Sequence, residues 1–151
     1  DLLPCLNTLS SNLKLACHRL SDHHIQPVFE MINSTDMPRF LVQNIAQAQE
    51  MLEAVQHPAL KMQYDCYHMA MMGEDVLEAL KENIHDIGHI QFADCPGRHE
   101  PDTAQIHFAE IFQWLNQSAY SGYIAAEYRP QAHSSHSFAW KDKYFAKHPQ
   151  S

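Results

Sequence analysis

The segment GHIQFADCPGRHEP at residues 88–101 is an apolar run that ends in polar side chains able to act as ligands. Three other segments have the same design: PVFEMIN at 27–33, LKMQYDCYH at 60–68 and YIAAEYRP at 123–130. Helix-like stretches follow the first three runs in chain order, and a shorter, ambiguous one follows the last. A strand followed by a helix, repeated along a chain, is typical of a parallel α/β sheet.

The boundaries of the predicted elements follow from apolar spacing and from proline and glycine breaks. The predicted strands are 27–32, 60–64, 89–93 and 123–127. The predicted helices are 2–21, 38–55 (opened by Pro38), 74–85, 108–115 and 138–146, with a loop at 131–137. A closed (β/α)₈ barrel typically needs about 250 residues. The four units therefore predict a parallel (βα)₄ half of a TIM barrel, with two open sheet edges.

Length and composition indicate a single soluble domain. The chain has 151 residues, 45% of them hydrophobic and 19% charged. It has no apolar run of the roughly 20 residues that span a bilayer, so we expect no membrane partner. The formal net charge of −8 argues against nucleic acid as a partner. Four scattered cysteines without a CxxC spacing, and no leader-like segment, predict reduced thiols and a cytoplasmic location.

Glu30 and Glu127 lie in apolar runs where a buried strand would otherwise favour Val or Ile. Burying an uncompensated carboxylate is costly, so each must be paired, protonated or bound to a metal. Asp65 and Gln91 supply two more oxygen ligands near corresponding strand ends, where parallel sheets place their chemistry. Three carboxylates and an amide oxygen favour Mg²⁺ or Mn²⁺. Ion pairing of the glutamates with Lys or Arg at the rim is the structural alternative.

His68 and Arg98 are two further candidates for the same site. His68 follows Asp65 by three residues and shares its site if the chain turns there; otherwise it is a core or rim histidine. Arg98 lies in the loop PGRHEP, where a guanidinium can hold a carboxylate through two parallel hydrogen bonds. A solvated loop arginine is the alternative. His99 and Glu100 either hold this loop or contact a ligand, and the sequence does not separate these roles.

A resemblance to the hydroxypyruvate isomerase family, which belongs to the xylose-isomerase-like TIM barrels, rests on three motifs. They are QYDCYHM at 63–69, GHIQFADCPGRHEPD at 88–102 and GYIAAEYRP at 122–130. PVFEMIN is similar to the strand that carries the family's first glutamate. The resemblance is collinear over residues 27–145 and covers the second half of a family member. It implies that residues 1–151 form one domain, the C-terminal half of a TIM barrel, with a preceding helix and four βα units.

The resemblance implies an activity and a role for each candidate residue. Family members interconvert hydroxypyruvate and tartronate semialdehyde, an aldose–ketose type isomerisation through an enediol. Glu30 and Glu127 match the proton donor and acceptor, while His68 and Arg98 match substrate-binding positions. The metal ligands of related barrels match four positions: Glu30, Asp65, Gln91 and Glu127. The implied substrate is a small hydroxy-keto acid and the implied cofactor is Mg²⁺ or Mn²⁺, with no organic cofactor.

Other interpretations stay open. The same carboxylates serve isomerases of four-carbon 2-oxo acids such as 2-oxotetronate, and they also serve ketose epimerases. A metal-dependent endonuclease acting on abasic DNA has a similar barrel, but its His-rich multi-zinc site is not matched and the chain is acidic. A half-barrel is also compatible with an inactive remnant or fragment. Because its edges are open, we expect a homo-oligomer or association with an N-terminal half.

Overall fold

The computed structural model describes residues 2–145, which form one four-stranded parallel sheet with accompanying helices. The strands are β1 (Val28–Glu30), β2 (Lys61–Asp65), β3 (Ile87–Phe92) and β4 (Tyr123–Ala126), in that spatial order. The α-helices are α1 (Leu3–Ser21), α2 (Ile45–Val55), α3 (Cys66–Met71), α4 (Val76–Asn83), α5 (Phe108–Gln117) and α6 (Ala139–Phe145). Short 3₁₀ turns cover Ile84–Asp86 and Ser134–His136. The predicted parallel α/β sheet is confirmed.

The two faces of the sheet differ in chemistry, because successive side chains along a strand point to opposite faces. Tyr64 pairs with Ile90 across β2 and β3, and both are buried in the core beneath the helices. On the other face Gln63 pairs with His89, and His89 pairs with Tyr123. One face is therefore apolar and covered by helices, while the other presents a polar row.

The main core joins the apolar face to the helices that follow each strand. Phe92 of β3 packs edge-on against Phe112 of α5, with ring centroids 5.2 Å apart, and equally against Trp140 of α6. Each fully buried side chain of this size contributes roughly 1.5–3 kcal/mol. A second cluster, which joins α1 to α2, contains four buried residues: Cys17, Met51, Val55 and Leu60. These contacts fix the helices and hold the strand ends in place.

Most predicted elements are confirmed within a few residues. The predicted helix at 2–21 is α1, and the predicted strands match β1 to β4. The helix predicted at 74–85 is α4 with the 3₁₀ turn that follows it, and the one at 108–115 is α5. The helix predicted at 138–146 is α6, although Ala146 lies outside the described residues.

The prediction of a helix at 38–55 is wrong in its first half, because α2 begins only at Ile45. The Ile32 N–H donates to the Val42 carbonyl at 3.1 Å, which holds the chain after β1 in a turn. Asn44 is the N-cap of α2, and its side chain accepts from the Gln47 N–H at 3.0 Å. Pro38 therefore lies in the turn rather than in the first turn of a helix.

Two further local features differ from the prediction. Helix α3 follows β2 without a loop, because the Asp65 side chain accepts from the Tyr67 N–H at 2.9 Å and caps the new helix. Gly88 lies inside β3 rather than before it. A Cβ at Gly88 would be 2.8 Å from the Lys61 Cβ and 2.7 Å from the Gln26 Oε1, so the approach of β2 to β3 requires glycine.

Within residues 2–145, none of the helices combines the length and the apolar character that crossing a membrane requires.

Replacing Asn44 by alanine tests the corrected helix boundary. Loss of the cap should lower the free energy of unfolding by about 1 kcal/mol, measured by urea denaturation. Glu53→Ala, at an exposed position inside α2, is the matched control and should change stability by less than about 0.5 kcal/mol. If a helix ran through residue 44, Asn44→Ala would instead be stabilising, because alanine has the higher helix propensity.

Candidate active site

The four predicted oxygen ligands lie at the end of the sheet where the parallel strands have their carboxyl ends. Glu30 ends β1, Asp65 ends β2, and Gln91 is the residue before the last of β3. Gln91 is the register partner of Asp65, and Glu127 follows β4 directly. The Glu127 N–H donates to the Phe92 carbonyl at 3.0 Å, which continues the β3–β4 pairing by one residue. The parallel register therefore brings residues nearly 100 positions apart to the same strand edge.

A single guanidinium joins two of the carboxylates. The Arg98 Nη2 donates to the Glu127 Oε2 at 2.6 Å and to the buried Asp65 Oδ2 at 3.4 Å. Its charge also lies 5.0 Å from the centroid of the Tyr67 ring, which is a favourable cation–π distance. Arg98 is thus paired with two of the predicted carboxylates rather than solvated in its loop, and Glu127 has the ion-pair partner that the structural alternative required. Its role in binding a substrate stays a prediction.

Glu30 and Asp65 are both harder to ionise than ordinary carboxylic acids. Burial raises the pKa of Glu30 to about 7, and the negative charges of Asp65 and Glu127 add to the effect. Burial also raises the pKa of Asp65 to about 6, although the Tyr67 N–H and the Arg98 charge oppose that rise. One cation does not offset three crowded carboxylates, so the site has room for more positive charge.

His68 lies beside these carboxylates on α3 and is only 3% exposed. Its Nε2 is 3.7 Å from the Asp65 Oδ2 and 3.9 Å from the Glu30 Oε1. Burial lowers the pKa of His68 to about 4, and the nearby Arg98 charge lowers it further. The imidazole is therefore neutral near pH 7. The chain turns directly after Asp65, so His68 lies beside the predicted ligands, while its role as a substrate contact stays a prediction.

The side chains that lie close enough together to bind one ion differ from the four predicted metal ligands. Ligand atoms of Glu30, Asp65 and His68 all lie within 4.8 Å of one another, which is close enough to share one ion. Gln91 is held differently, because its Oε1 accepts from the Gln63 Nε2 at 2.7 Å. The roles predicted for these residues from the sequence stay predictions. The structure shows that they lie close together at the carboxyl ends of the strands.

One cavity contains the two glutamates together with the histidine and the arginine. Its walls include Glu30, His68, Arg98, Glu127 and Arg129. The two glutamate carboxylates therefore face a common space. A small ligand in this space would meet acids that can exchange protons, a neutral imidazole, and guanidinium charge that can stabilise an anionic oxygen.

Several residues that support the site were missed by sequence reasoning. Gln63 hydrogen-bonds to Gln91 and to Glu30, so it connects β1 with β3. Asn33 and Asp36, in the turn after β1, contact His68 and Tyr67 respectively. Gln63 and Asn33 stand in the quoted motifs, but these motifs do not show which side chains meet. A polar residue shortly after an apolar strand is a signal for Asn33, whereas Gln63 lies inside β2 and carries no such signal.

Asp94 is another missed residue, and it organises the loop that presents Arg98. It is fully buried, and its carboxylate accepts four backbone N–H groups at 2.8–2.9 Å, those of Cys95, Thr103, Ala104 and Ile106. Its backbone carbonyl accepts from the Arg98 N–H at 3.0 Å. Arg98 itself has a positive φ of 57°, which costs on the order of 1–2 kcal/mol for a non-glycine residue. The buried carboxylate holds the loop in that conformation.

Comparison with known proteins gives the class of the protein. Residues 3–144 match the xylose isomerase-like TIM barrel family, and the chain belongs to that family. The predicted fold class and the resemblance are both confirmed.

Particular relatives narrow the comparison. The chain is 34% identical over 147 residues to the 2-oxo-tetronate isomerase of Cupriavidus necator, covering 97% of this chain and 56% of the relative. It is 35% identical over 137 residues to the hydroxypyruvate isomerase of Escherichia coli K12, covering 91% of this chain and 53% of that protein. The chain thus spans about half the length of the curated relatives that it matches.

Solved structures agree on the fold. The crystal structure of an AP endonuclease, family 2, from Brucella melitensis superposes with a TM-score of 0.91 at 28% identity, covering 95% of this chain and 56% of the other. A 3-keto-D-glucoside 4-epimerase from E. coli superposes with a TM-score of 0.77 at 22% identity, covering 88% of this chain and 49% of that one, and shows the fold alone.

Replacing Glu30 by glutamine should change how stability depends on pH. The folded-state pKa of Glu30 is raised to about 7 from an ordinary 4.5, so the folded chain keeps a proton that the unfolded chain has lost. The stability due to Glu30 is fully present below pH 4.5 and is lost as the pH rises through 7. The free energy of unfolding of Glu30→Gln, compared with that of the wild type, should therefore rise by up to about 3 kcal/mol as the pH rises from 4.5 through 7.

Urea denaturation across that pH range, with a chelator present, measures this difference. Glu78→Gln is the matched control, because Glu78 is an exposed glutamate paired with Lys81 outside the site. Its stability relative to the wild type should vary little with pH. A difference between Glu30→Gln and the wild type that stays constant with pH would contradict the raised pKa.

Proposed function

We propose that the chain is the C-terminal half of an isomerase that interconverts hydroxypyruvate and tartronate semialdehyde. The observation that carries this proposal is the shared cavity, in which Glu30 and Glu127 face the same space as His68 and Arg98. Membership of the xylose isomerase-like family supports it, as do relatives named hydroxypyruvate isomerase and 2-oxo-tetronate isomerase. The whole reaction belongs to the complete barrel, of which this chain supplies one half.

In this proposal the two glutamates exchange the protons. One carboxylate removes a proton from the hydroxyl-bearing carbon of the substrate, which leaves an enediolate, and protonation of the former carbonyl oxygen gives the enediol. A carboxylic acid then returns a proton to the neighbouring carbon, while the oxygen of the original hydroxyl loses its proton and becomes the aldehyde oxygen. A pKa of about 7 suits Glu30 to this work, because general acid–base catalysis is most efficient when the pKa lies near the working pH. Glu127 lies on the β4 side of the same cavity.

Arg98 is proposed to bind the substrate carboxylate. Its Nη2 already donates to the Glu127 and Asp65 carboxylates, so its charge lies where an oxyanion in the cavity can reach it. A substrate carboxylate that competes for Arg98 would also release Glu127 for proton transfer. His68 completes the proposed substrate contacts from the floor of the cavity.

We further propose that the site takes a divalent ion, Mg²⁺ or Mn²⁺, held by Glu30, Asp65, Gln91 and Glu127. The donor set fits such an ion, because it consists of hard oxygen atoms and because burial, which raises the pKa values of Glu30 and Asp65, makes their negative charge costly without a cation beside it. A bound ion would supply positive charge beside the oxygens of the enediol. We expect no organic cofactor.

Thermal unfolding with added Mn²⁺ tests the ion site. Saturating Mn²⁺ should raise the Tm of the wild type, since an ion at about 100 times its Kd adds about 2.7 kcal/mol of stability. Asp65→Asn keeps a cap acceptor for α3 but removes one ligand charge, so most of the shift should disappear. Asp102→Asn, in the exposed Lys143 pair, should keep the full shift. Equal shifts in Asp65→Asn and the wild type would contradict the site.

Glu127→Gln tests the proton transfer in an active assembly. The change keeps the shape of the side chain but removes the basic oxygen, so kcat should fall by about 10²- to 10⁴-fold with the fold intact. The assay follows conversion of hydroxypyruvate, and circular dichroism checks folding. Glu78→Gln again serves as the control and should retain full activity. Retained turnover in Glu127→Gln would remove this residue from the mechanism.

A related activity is the first alternative. Isomerisation of 2-oxotetronate uses the same carboxylates, and the Cupriavidus necator relative carries that name. Ketose epimerisation also uses them, but a neutral ketose offers no carboxylate to Arg98. A substrate panel compares these compounds through their kcat/KM values. Among the described residues, the close cluster of ligating side chains contains a single histidine, so a His-rich multi-zinc endonuclease site is not favoured.

Assembly is the second alternative and concerns the open edges. Within residues 2–145, β1 and β4 each pair on one side only. We propose that another four-stranded unit, either a second copy or an N-terminal half, covers these edges and completes the barrel. Without it the chain would be an inactive half. A stable monomer by light scattering at micromolar concentration that nevertheless turns over substrate would contradict this proposal.

We also propose a cytoplasmic location. All four cysteines are free thiols, and three of them are buried, which suits a reducing compartment.

A further inference from the structure

We propose that Asn33 is a positioning residue that keeps the proton of His68 on Nε2, so that His68 donates a hydrogen bond into the cavity and is not a metal ligand. The use of that donor in catalysis rests on the proposed function. The position of the proton does not, because it follows from hydrogen bonds among residues of the turn after β1 and of α3.

Asn33 has a single hydrogen-bonding arrangement. It is completely buried, three residues after Glu30. Its Oδ1 accepts from the Thr35 N–H at 3.0 Å and from the Asp36 N–H at 2.8 Å. Its Nδ2 lies 3.0 Å from the Asp36 Oδ2 and 2.7 Å from the His68 Nδ1. An asparagine side chain offers two donors and two acceptor positions, and all four are used here.

Rotating the amide by 180° would break this arrangement. The NH₂ group would then face two backbone N–H donors, and the oxygen would face the Asp36 carboxylate. Asp36 is an acceptor independently of Asn33, because its Oδ2 also accepts from the Tyr67 hydroxyl at 3.0 Å. The amide therefore presents a donor, not an acceptor, to His68.

The backbone gives independent evidence for the same tautomer. The Asn33 main-chain N–H also points at the His68 Nδ1, at 3.5 Å. A backbone N–H can only donate, so two donors converge on one ring nitrogen. Nδ1 must then carry the lone pair, and in a neutral imidazole the proton lies on Nε2.

The Nε2–H faces the side of the cavity that carries Glu30 and Asp65. Its nearest carboxylate oxygens are the Asp65 Oδ2 at 3.7 Å and the Glu30 Oε1 at 3.9 Å, both beyond a normal hydrogen bond. This leaves the donor free for a substrate oxygen, where a neutral imidazole can stabilise developing negative charge. A nitrogen that carries a proton cannot ligate a cation. Proximity to Glu30 and Asp65 therefore does not make His68 a third ligand.

Long-range ¹H–¹⁵N NMR of the imidazole rings, on the intact chain with a chelator present, tests the tautomer directly. The His68 signals are assigned by their loss in His68→Gln. In the wild type we expect Nε2 to be protonated and Nδ1 to have the shift of an acceptor nitrogen. A wild-type His68 protonated on Nδ1 would overturn the inference without any mutant, so the test does not depend on variant folding.

Asn33→Asp is the positioning variant. Its carboxylate accepts a hydrogen bond where the amide donated one, so the proton of His68 should move to Nδ1. Asn12→Asp, an exposed change of the same type on α1, should leave the His68 signals unchanged. A folded Asn33→Asp protein with an unchanged Nε2–H tautomer would contradict the role of Asn33. Titration with Mg²⁺ should also preserve the Nε2–H, and its loss would show that His68 ligates the ion.

Kinetics separate positioning from simple structural support. In an active assembly, Asn33→Asp should lower kcat by about 10- to 100-fold, with a smaller change in KM, as expected when the orienting partner of a site histidine is lost. If the tautomer is as predicted but no isomerase activity is found, the inference stands and only the proposed function fails.

Discussion

Three carboxylates and a single guanidinium lie together at the carboxyl ends of the strands. The excess of negative over positive charge there is the constraint on which the rest of the site depends. The parallel register makes the crowding unavoidable, because Glu30, Asp65 and Glu127 each stand at or just beyond a strand end. Arg98 offsets part of the charge through its contacts with Glu127 and Asp65. Burial raises the pKa values of Glu30 and Asp65, and the neighbouring carboxylates add to that rise. A carboxyl group whose pKa lies near neutral pH can both accept and release a proton, and a cation bound beside it would favour its ionised form.

Two buried polar residues hold the loops that deliver the chemistry. Asp94 gathers four backbone N–H groups and so shapes the loop that presents Arg98. Asn33 does the same for the turn after β1 and in addition orients His68. Both are fully buried, so leaving either set of partners unsatisfied would cost about 1–3 kcal/mol per group. The positions of Arg98 and His68 at the carboxyl ends of the strands therefore depend on these two supporting residues.

The sequence was sufficient for the strands and for the positions of the charged residues, because apolar runs and their polar ends are local signals. It failed where a tertiary contact decides the boundary. Pro38 looked like a helix start, but the Ile32–Val42 hydrogen bond keeps that segment in a turn until Asn44 caps α2. The same limit applies to the site. The Asn33 contact with His68 joins residues 35 positions apart, and no spacing rule reveals which ring nitrogen an amide meets.

Every residue assigned to the site comes from the stretch between Glu30 and Arg129, on one continuous set of βα units. On the polar face of the sheet, by contrast, Gln63 and His89 are only half-buried and Tyr123 is exposed. A piece of polypeptide that covered this face would change how much room surrounds the carboxylates, while the carboxylates and the guanidinium would stay the same. Exchanging that piece therefore offers protein engineers a way to vary the size of the cavity without altering the charged groups in its wall.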